Sequence, residues 1–208
     1  VIVPDNPPPY TICEHNLGNL EEIGIQEKTE FVGSFSDMKF QKGSGSHIFA
    51  PISGPLGTRA KLTKTIIPAL IRMSTESIVS LGEPDNRTVK KLGNCEIHSW
   101  LSKDQRDEYM RNAEIVVFSG GHGTCFEVIK HRKPSICIPT QPEQMANAKK
   151  LQDLKCSLTA KNEIQLKQSI YEIEKETQFY RDNSTKISEV SSRFSGLERA
   201  VEIIENSL

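Results

Sequence analysis

The chain has 208 residues, 36% of them hydrophobic and 25% charged, a balance that supports a packed core and excludes wholesale disorder. Lys plus Arg number 26 against 27 Asp plus Glu, a formal net charge of −1, so the basic excess expected of a nucleic-acid binder is missing. The longest apolar runs, such as Ile115-Val116-Val117-Phe118, span only a few residues, which excludes an apolar membrane-spanning helix.

Val1 opens the chain, and no basic region with an apolar core follows it. The expectation is that no signal peptide is present and that the chain is cut from something longer. Residues 1–30 read as an extended connector, because Pro4, Pro7, Pro8 and Pro9 oppose helix. A short strand is expected at 29–33 and a flexible loop at 42–46. Residues 47–52 read as a strand and 53–58, Ser53-Gly54-Pro55-Leu56-Gly57-Thr58, as a turn. Leu62, Ile66, Leu70 and Met73 then lie on one face of a helix, which Pro68 should kink or restart.

Further along, 77–82 is a predicted strand, 86–92 a short helix and 95–100 a strand. Ser102-Lys103-Asp104-Gln105 fits a capping box opening a helix to 112. Residues 114–118 form an apolar strand, followed by glycines and a helix through 131. A strand at 135–139 and a helix at 145–154 complete the alternation. Such alternation implies an α/β fold, a Rossmann-like parallel sheet with helices on both faces. In the tail, Ile187, Val190, Phe194, Leu197, Val201 and Ile204 make a helical apolar stripe. Gly196 divides it, allowing two abutting helices. The five cysteines are odd in number and lack any Cys-x-x-Cys pair. Buried free thiols in a reducing, cytoplasmic setting are expected.

Ligands of open parallel sheets bind beyond the carboxyl ends of the strands. Four such ends carry unusual residues. Ser119-Gly120-Gly121-His122-Gly123-Thr124 leads from strand to helix; glycines admit close approach, and a helix start offers free N–H groups to an anion. A plain tight turn explains the glycines equally well, and Thr124-x-x-Glu127 also fits a capping box. Glu143-Gln144, with Asn147 behind it, joins a carboxylate to an amide, a suitable grip for sugar hydroxyls, or else an exposed polar pair. Trp100, the single tryptophan, offers a stacking surface for a base, or else fills the core. Ser53–Thr58 is a second glycine turn into a helix, with Arg59 and Lys61 close by, near a phosphate or simply solvated. No Gly-x-Ser-x-Gly elbow, no Asp-x-Asp and no metal spacing among histidines and cysteines occurs.

Taken together, Trp100, Ser119-Gly120-Gly121-His122-Gly123-Thr124-x-x-Glu127, Lys133-Pro134, Ile138-Pro139 and Glu143-Gln144-x-x-Asn147-Ala148 resemble the donor-binding, carboxyl-terminal half of GT-B glycosyltransferases of the MurG and UDP-glycosyltransferase superfamily. Residues 4–33, with Asp5-Asn6-Pro7-Pro8-Pro9-Tyr10, resemble the end of the acceptor-binding half and linker of archaeal members. The resemblance implies three parts: 1–33 as the end of the amino-terminal half and linker, 34–180 as the nucleotide-sugar domain, and 181–208 as helices packing back towards the missing half. It implies that Gly120, Gly121, His122, Gly123 and Thr124 hold a diphosphate, that Glu127 accepts from ribose hydroxyls, and that Trp100 and the Leu101 backbone hold uracil. Glu143, Gln144 and Asn147 would bind the donor sugar, and Ser53 and Gly54 would face the cleft between halves. A UDP-sugar donor, no cofactor, an inverting metal-independent hexosyl transfer and an acceptor of lipid-linked type at a membrane face follow as expectations. The chain departs from the pattern at Ser119, where many members have a histidine. The general base belongs to the other half, so no catalytic residue is named. A stand-alone donor subunit of a two-chain N-acetylglucosaminyl transferase and a non-catalytic nucleotide-sugar module stay open.

Overall fold

A computed structural model describes residues 1–207. The elements in chain order are β1 (Ile2–Val3), α1 (Glu14–Leu17), β2 (Glu30–Phe31), β3 (His47–Pro51), α2 (Leu56–Leu70), β4 (Ser77–Ser80), β5 (Val89–Leu92), β6 (Cys95–His98), α3 (Lys103–Asn112) and β7 (Ala113–Phe118). Then follow α4 (His122–Lys130), β8 (Ser135–Cys137), α5 (Pro142–Asp153), β9 (Ser157–Thr159), α6 (Glu163–Lys175), α7 (Thr177–Ser191) and α8 (Gly196–Glu205). The main sheet has seven strands in the order β5-β6-β4-β3-β7-β8-β9. All neighbours run parallel except β5 and β6. The expected α/β sheet with helices on both faces is therefore present.

Period-two alternation builds the two faces. Ile48, Ala50, Ile115, Val117 and Ile136 point into one buried cluster, with Leu62, Ile66 and Leu70 of α2 and Leu166, Ile170 and Ile173 of α6. Phe49, Val116, Phe118 and Cys137 enter the other, with Met110 of α3, Phe126 and Ile129 of α4, Leu151 of α5 and Ile187 of α7. Because both faces are covered, the central strands read as unbroken apolar runs. Each fully buried Leu, Ile or Phe contributes about 1.5–3 kcal/mol of hydrophobic stabilisation.

Several expectations are corrected. Residues 86–92 do not form a helix. Val89–Leu92 is an exposed edge strand, turning through Gly93-Asn94 into β6 with Leu92 opposite Cys95. Lys90 and Lys91 on that edge disfavour pairing with a further strand. Helix α2 runs unbroken past Pro68; the proline forgoes only its own bond to the Lys64 carbonyl, and the helix ends two residues later. Residues 1–30 are only partly extended, because Glu14–Leu17 forms a turn of helix. The short strand at 30–31 pairs in parallel with β1. All five cysteines are free, and four are buried.

The tail helices start where Gly196 predicted a division, at the first residue of α8. Gly196 lies against the backbone of Gly33 and Ser34, and Asn6 Nδ2 donates to Ser191 Oγ at 2.8 Å. The opening and closing segments of the chain are thus packed together. Of the stripe, Ile187 is buried, whereas Leu197, Val201 and Ile204 are exposed. No helix of the described residues is long and apolar enough to cross a membrane.

Candidate functional site

Because β3, β6, β7 and β8 run parallel, the segments that follow them emerge on one edge of the sheet. The structure ties them together. Gly120 has φ +89°, and a Cβ there would lie 2.9 Å from the Gln144 carbonyl; only glycine fits both the conformation and the approach. Asn147 Nδ2 donates to Gly120 O at 3.0 Å and to Glu143 Oε1 at 2.7 Å. Asn147 Oδ1 accepts from Asn16 Nδ2 at 2.9 Å. Both ends of this fully buried amide are taken up by protein, so Asn147 braces the loop after β7 against α5. Thr140 Oγ1 reaches Thr58 Oγ1 at 3.5 Å, joining the loop after β8 to the first turn of α2.

The glycine loop leads directly into α4, with Gly121 as N-cap and no side-chain cap. The capping box anticipated at Thr124 and Glu127 is therefore absent: the helix begins earlier, at His122, and Thr124 lies inside its first turn. Among the described residues, no acceptor meets the backbone N–H groups of His122, Gly123 or Thr124. They are available to an anion at the positive end of the helix dipole. The first turn of α2, entered through Ser53 and Gly54, lies on the same edge. Both residues are exposed, and Gly54 has φ +103°. Arg59 Nη1 donates to the Gly82 carbonyl, which ties α2 to the segment after β4.

Glu127 is not idle. Arg106 of α3 donates Nη1 to its Oε1 at 2.7 Å and holds Nη2 2.7 Å from Oε2 as an ion-pair contact without hydrogen-bond geometry, so Oε2 is buried with no hydrogen-bond donor; Arg106 Nη2 donates to Thr124 Oγ1 at 3.4 Å. The pair is about one-third exposed on each side. Trp100 is 37% exposed, beyond β6, with the Arg87 guanidinium 5.7 Å from its ring centre. It does not fill the core. Leu101 buries its side chain, and its backbone N–H and C=O meet no protein partner among the described residues. Glu143 is exposed in the first turn of α5. Gln144 is buried; its Oε1 accepts from Thr140 N and Oγ1 at 2.9 and 3.0 Å, and its NH₂ makes no bond within the described residues.

Two residues outside the glycine-rich motifs enter the site. Asp5, 0% exposed, accepts at Oδ1 from the N–H of Asn6 at 2.7 Å and of Ile12 at 3.0 Å. Its Oδ2 accepts from Cys13 N at 2.8 Å and stands 3.0 Å from His122 Nε2. Arg106 is the other. A cleft of about 830 Å³ between α3, α4 and residues 35–41 shares only Arg106 and Glu127 with this edge.

Residues 69–200 match the glycosyltransferase family 28 C-terminal domain. An uncharacterized glycosyltransferase of Methanosarcina mazei is 26% identical over 99% of this chain and 56% of its own length. Among solved structures, the glycotransferase of kitacinnamycin superposes with TM-score 0.66 at 18% identity, over 88% of this chain and 50% of that one. The calicheamicin glycosyltransferase CalG4 gives 0.63 at 13%, over 88% and 48%. The spinosyn rhamnosyltransferase SpnG, solved with thymidine diphosphate, gives 0.61 at 16%, over 77% and 46%. The chain thus spans about half the length of the proteins it matches. With the parallel sheet, the glycine loop and the matched segment in agreement, the chain belongs to the family of glycosyltransferase family 28 C-terminal domains.

Proposed function

We propose that the chain binds a nucleoside-diphosphate sugar, specifically a UDP-sugar, and forms the donor half of an inverting hexosyltransferase. The observation that carries this reading is the row of unpartnered N–H groups opening α4 behind Gly120. A diphosphate satisfies such donors, and the half-exposed Trp100 and the free Leu101 backbone suit a planar base. That SpnG was solved with thymidine diphosphate supports a pyrimidine nucleotide as the ligand. Catalysis by this half is electrostatic: oriented amides stabilise charge gathering on the departing nucleotide. With no Asp-x-Asp in the sequence, the reading routes that charge to amides and assigns neither a metal nor another cofactor. The acceptor and the general base are assigned to a second half, and a lipid-linked acceptor would place the enzyme at a membrane face.

Sugar and nucleotide contacts separate by mutation. Glu143 lies on α5, while the nucleotide groups lie on α4 and beyond β6. Glu143→Ala should leave UDP affinity unchanged and weaken an intact UDP-sugar by about 1–3 kcal/mol, the range for a hydrogen bond to a charged acceptor. Gln144→Ala should act in the same direction but less. Calorimetric titration of UDP and several UDP-sugars checks this; equal losses with UDP and every UDP-sugar would exclude the sugar contact.

A further inference from the structure

We propose that His122 grips the donor diphosphate with its side chain and that Asp5 positions it, which makes the segment ahead of the main sheet part of the donor site. This inference rests on the nucleotide-sugar reading above. A buried carboxylate is costly unless its oxygens are satisfied, and Asp5 meets this condition through three backbone N–H groups and one imidazole. A carboxylate only accepts, so the His122 nitrogen facing it, Nε2, carries the proton. The ring is further fixed edge-on to Phe126, with centres 5.1 Å apart and planes at 73°. Its other nitrogen, Nδ1, has no partner among the described residues. His122 is also the first residue of α4, so this fixed ring belongs to the turn whose backbone amides are free. Among the described residues no Lys or Arg pairs with Asp5. An imidazolium at His122 would balance Asp5 on one side and offer Nδ1–H to a phosphate oxygen on the other.

Asp5, Cys13 and His122 also place their donor atoms within 4.8 Å of one another, a set that by composition could hold a divalent ion. The chemistry disfavours it. The acceptor positions of the Asp5 oxygens are already filled by three backbone N–H groups and the His122 imidazole, which leaves none to coordinate an ion.

Amide variants separate the two sides of the ring. A glutamine NH₂ reaches the place of Nε2 and can keep the donor to Asp5, but it leaves nothing at Nδ1. The chain is titrated with UDP and with dTDP, and each variant's melting temperature is recorded. His122→Ala should lose about tenfold or more in affinity, the size of a charge-assisted hydrogen bond. His122→Gln should melt like the parent chain yet lose as much affinity as His122→Ala. Asp5→Asn should lose affinity in the same direction. If His122→Gln binds UDP as the parent does, His122 only props the linker and the inference is overturned. If the unmutated chain binds neither nucleotide, the nucleotide-sugar reading itself fails; if it binds and every His122 variant binds equally, only the histidine's role fails.

Discussion

Glu127 has a protein partner at the position where the sequence pointed to a ligand. Its expected partner was a ribose, with a capping box as the competing use. The structure instead supplies Arg106, whose Nη1 donates to Oε1 while Nη2 stands 2.7 Å from Oε2 without bonding to it. A carboxylate has about four acceptor positions, and Arg106 fills one of them, on Oε1. Glu127→Ala should weaken UDP binding by about 1.5–3 kcal/mol. The accompanying loss of stability should stay within about 1 kcal/mol, because a partly exposed ion pair is screened by solvent and no cap is broken. Calorimetry and thermal melting on the same variant check both numbers; lower melting with unchanged UDP affinity would leave Glu127 as a partner of Arg106 alone. Arg106 itself was not legible, since nothing in the spacing of α3 announces a contact 21 positions away. Asp5 was visible only as part of a proline-rich linker, because the backbone donors that make it special come from a fold of the chain rather than from a motif.

At the scale of elements, most of the main sheet could be read directly, since strands buried on both faces leave short apolar runs bounded by glycine, proline and polar turns. The failures have local causes. Val89–Leu92 lies on an exposed edge, so no core face imposed alternation, and the Gly93-Asn94 turn carried the signal instead. The α4 start was displaced because Gly121, not Thr124, is the N-cap. The α8 start agrees with the sequence because a glycine is required there for space. A Cβ on Gly196 would lie 2.4 Å from the Ser34 carbonyl and 2.5 Å from that of Gly33. Gly196→Ala should therefore push α8 off residues 33–34. The expected outcome is faster amide exchange confined to residues 196–205 and the β1–β2 pair, with the main sheet unchanged. Exchange unaltered in α8 would mean that backbone shifts absorb the methyl group.

For the whole molecule, the proposed division of labour has a direct consequence for turnover. The nucleotide groups gather on one edge, while the acceptor and the base are assigned elsewhere. The 208-residue chain should bind UDP-sugar yet transfer no hexose; acceptor-dependent UDP release by this chain, followed by a coupled assay, would contradict that division.

The packing of residues 5–16 against α4 and α5 also bears on how such enzymes can be recombined. A chimera that exchanges donor halves at Gly33, where the linker ends by sequence, would pair His122 of one parent with the Asp5 position of another and Asn147 with a foreign residue 16. A seam placed ahead of Asp5 carries these contacts across as a set. The junction that looks least structured in the primary sequence is then the wrong place to cut.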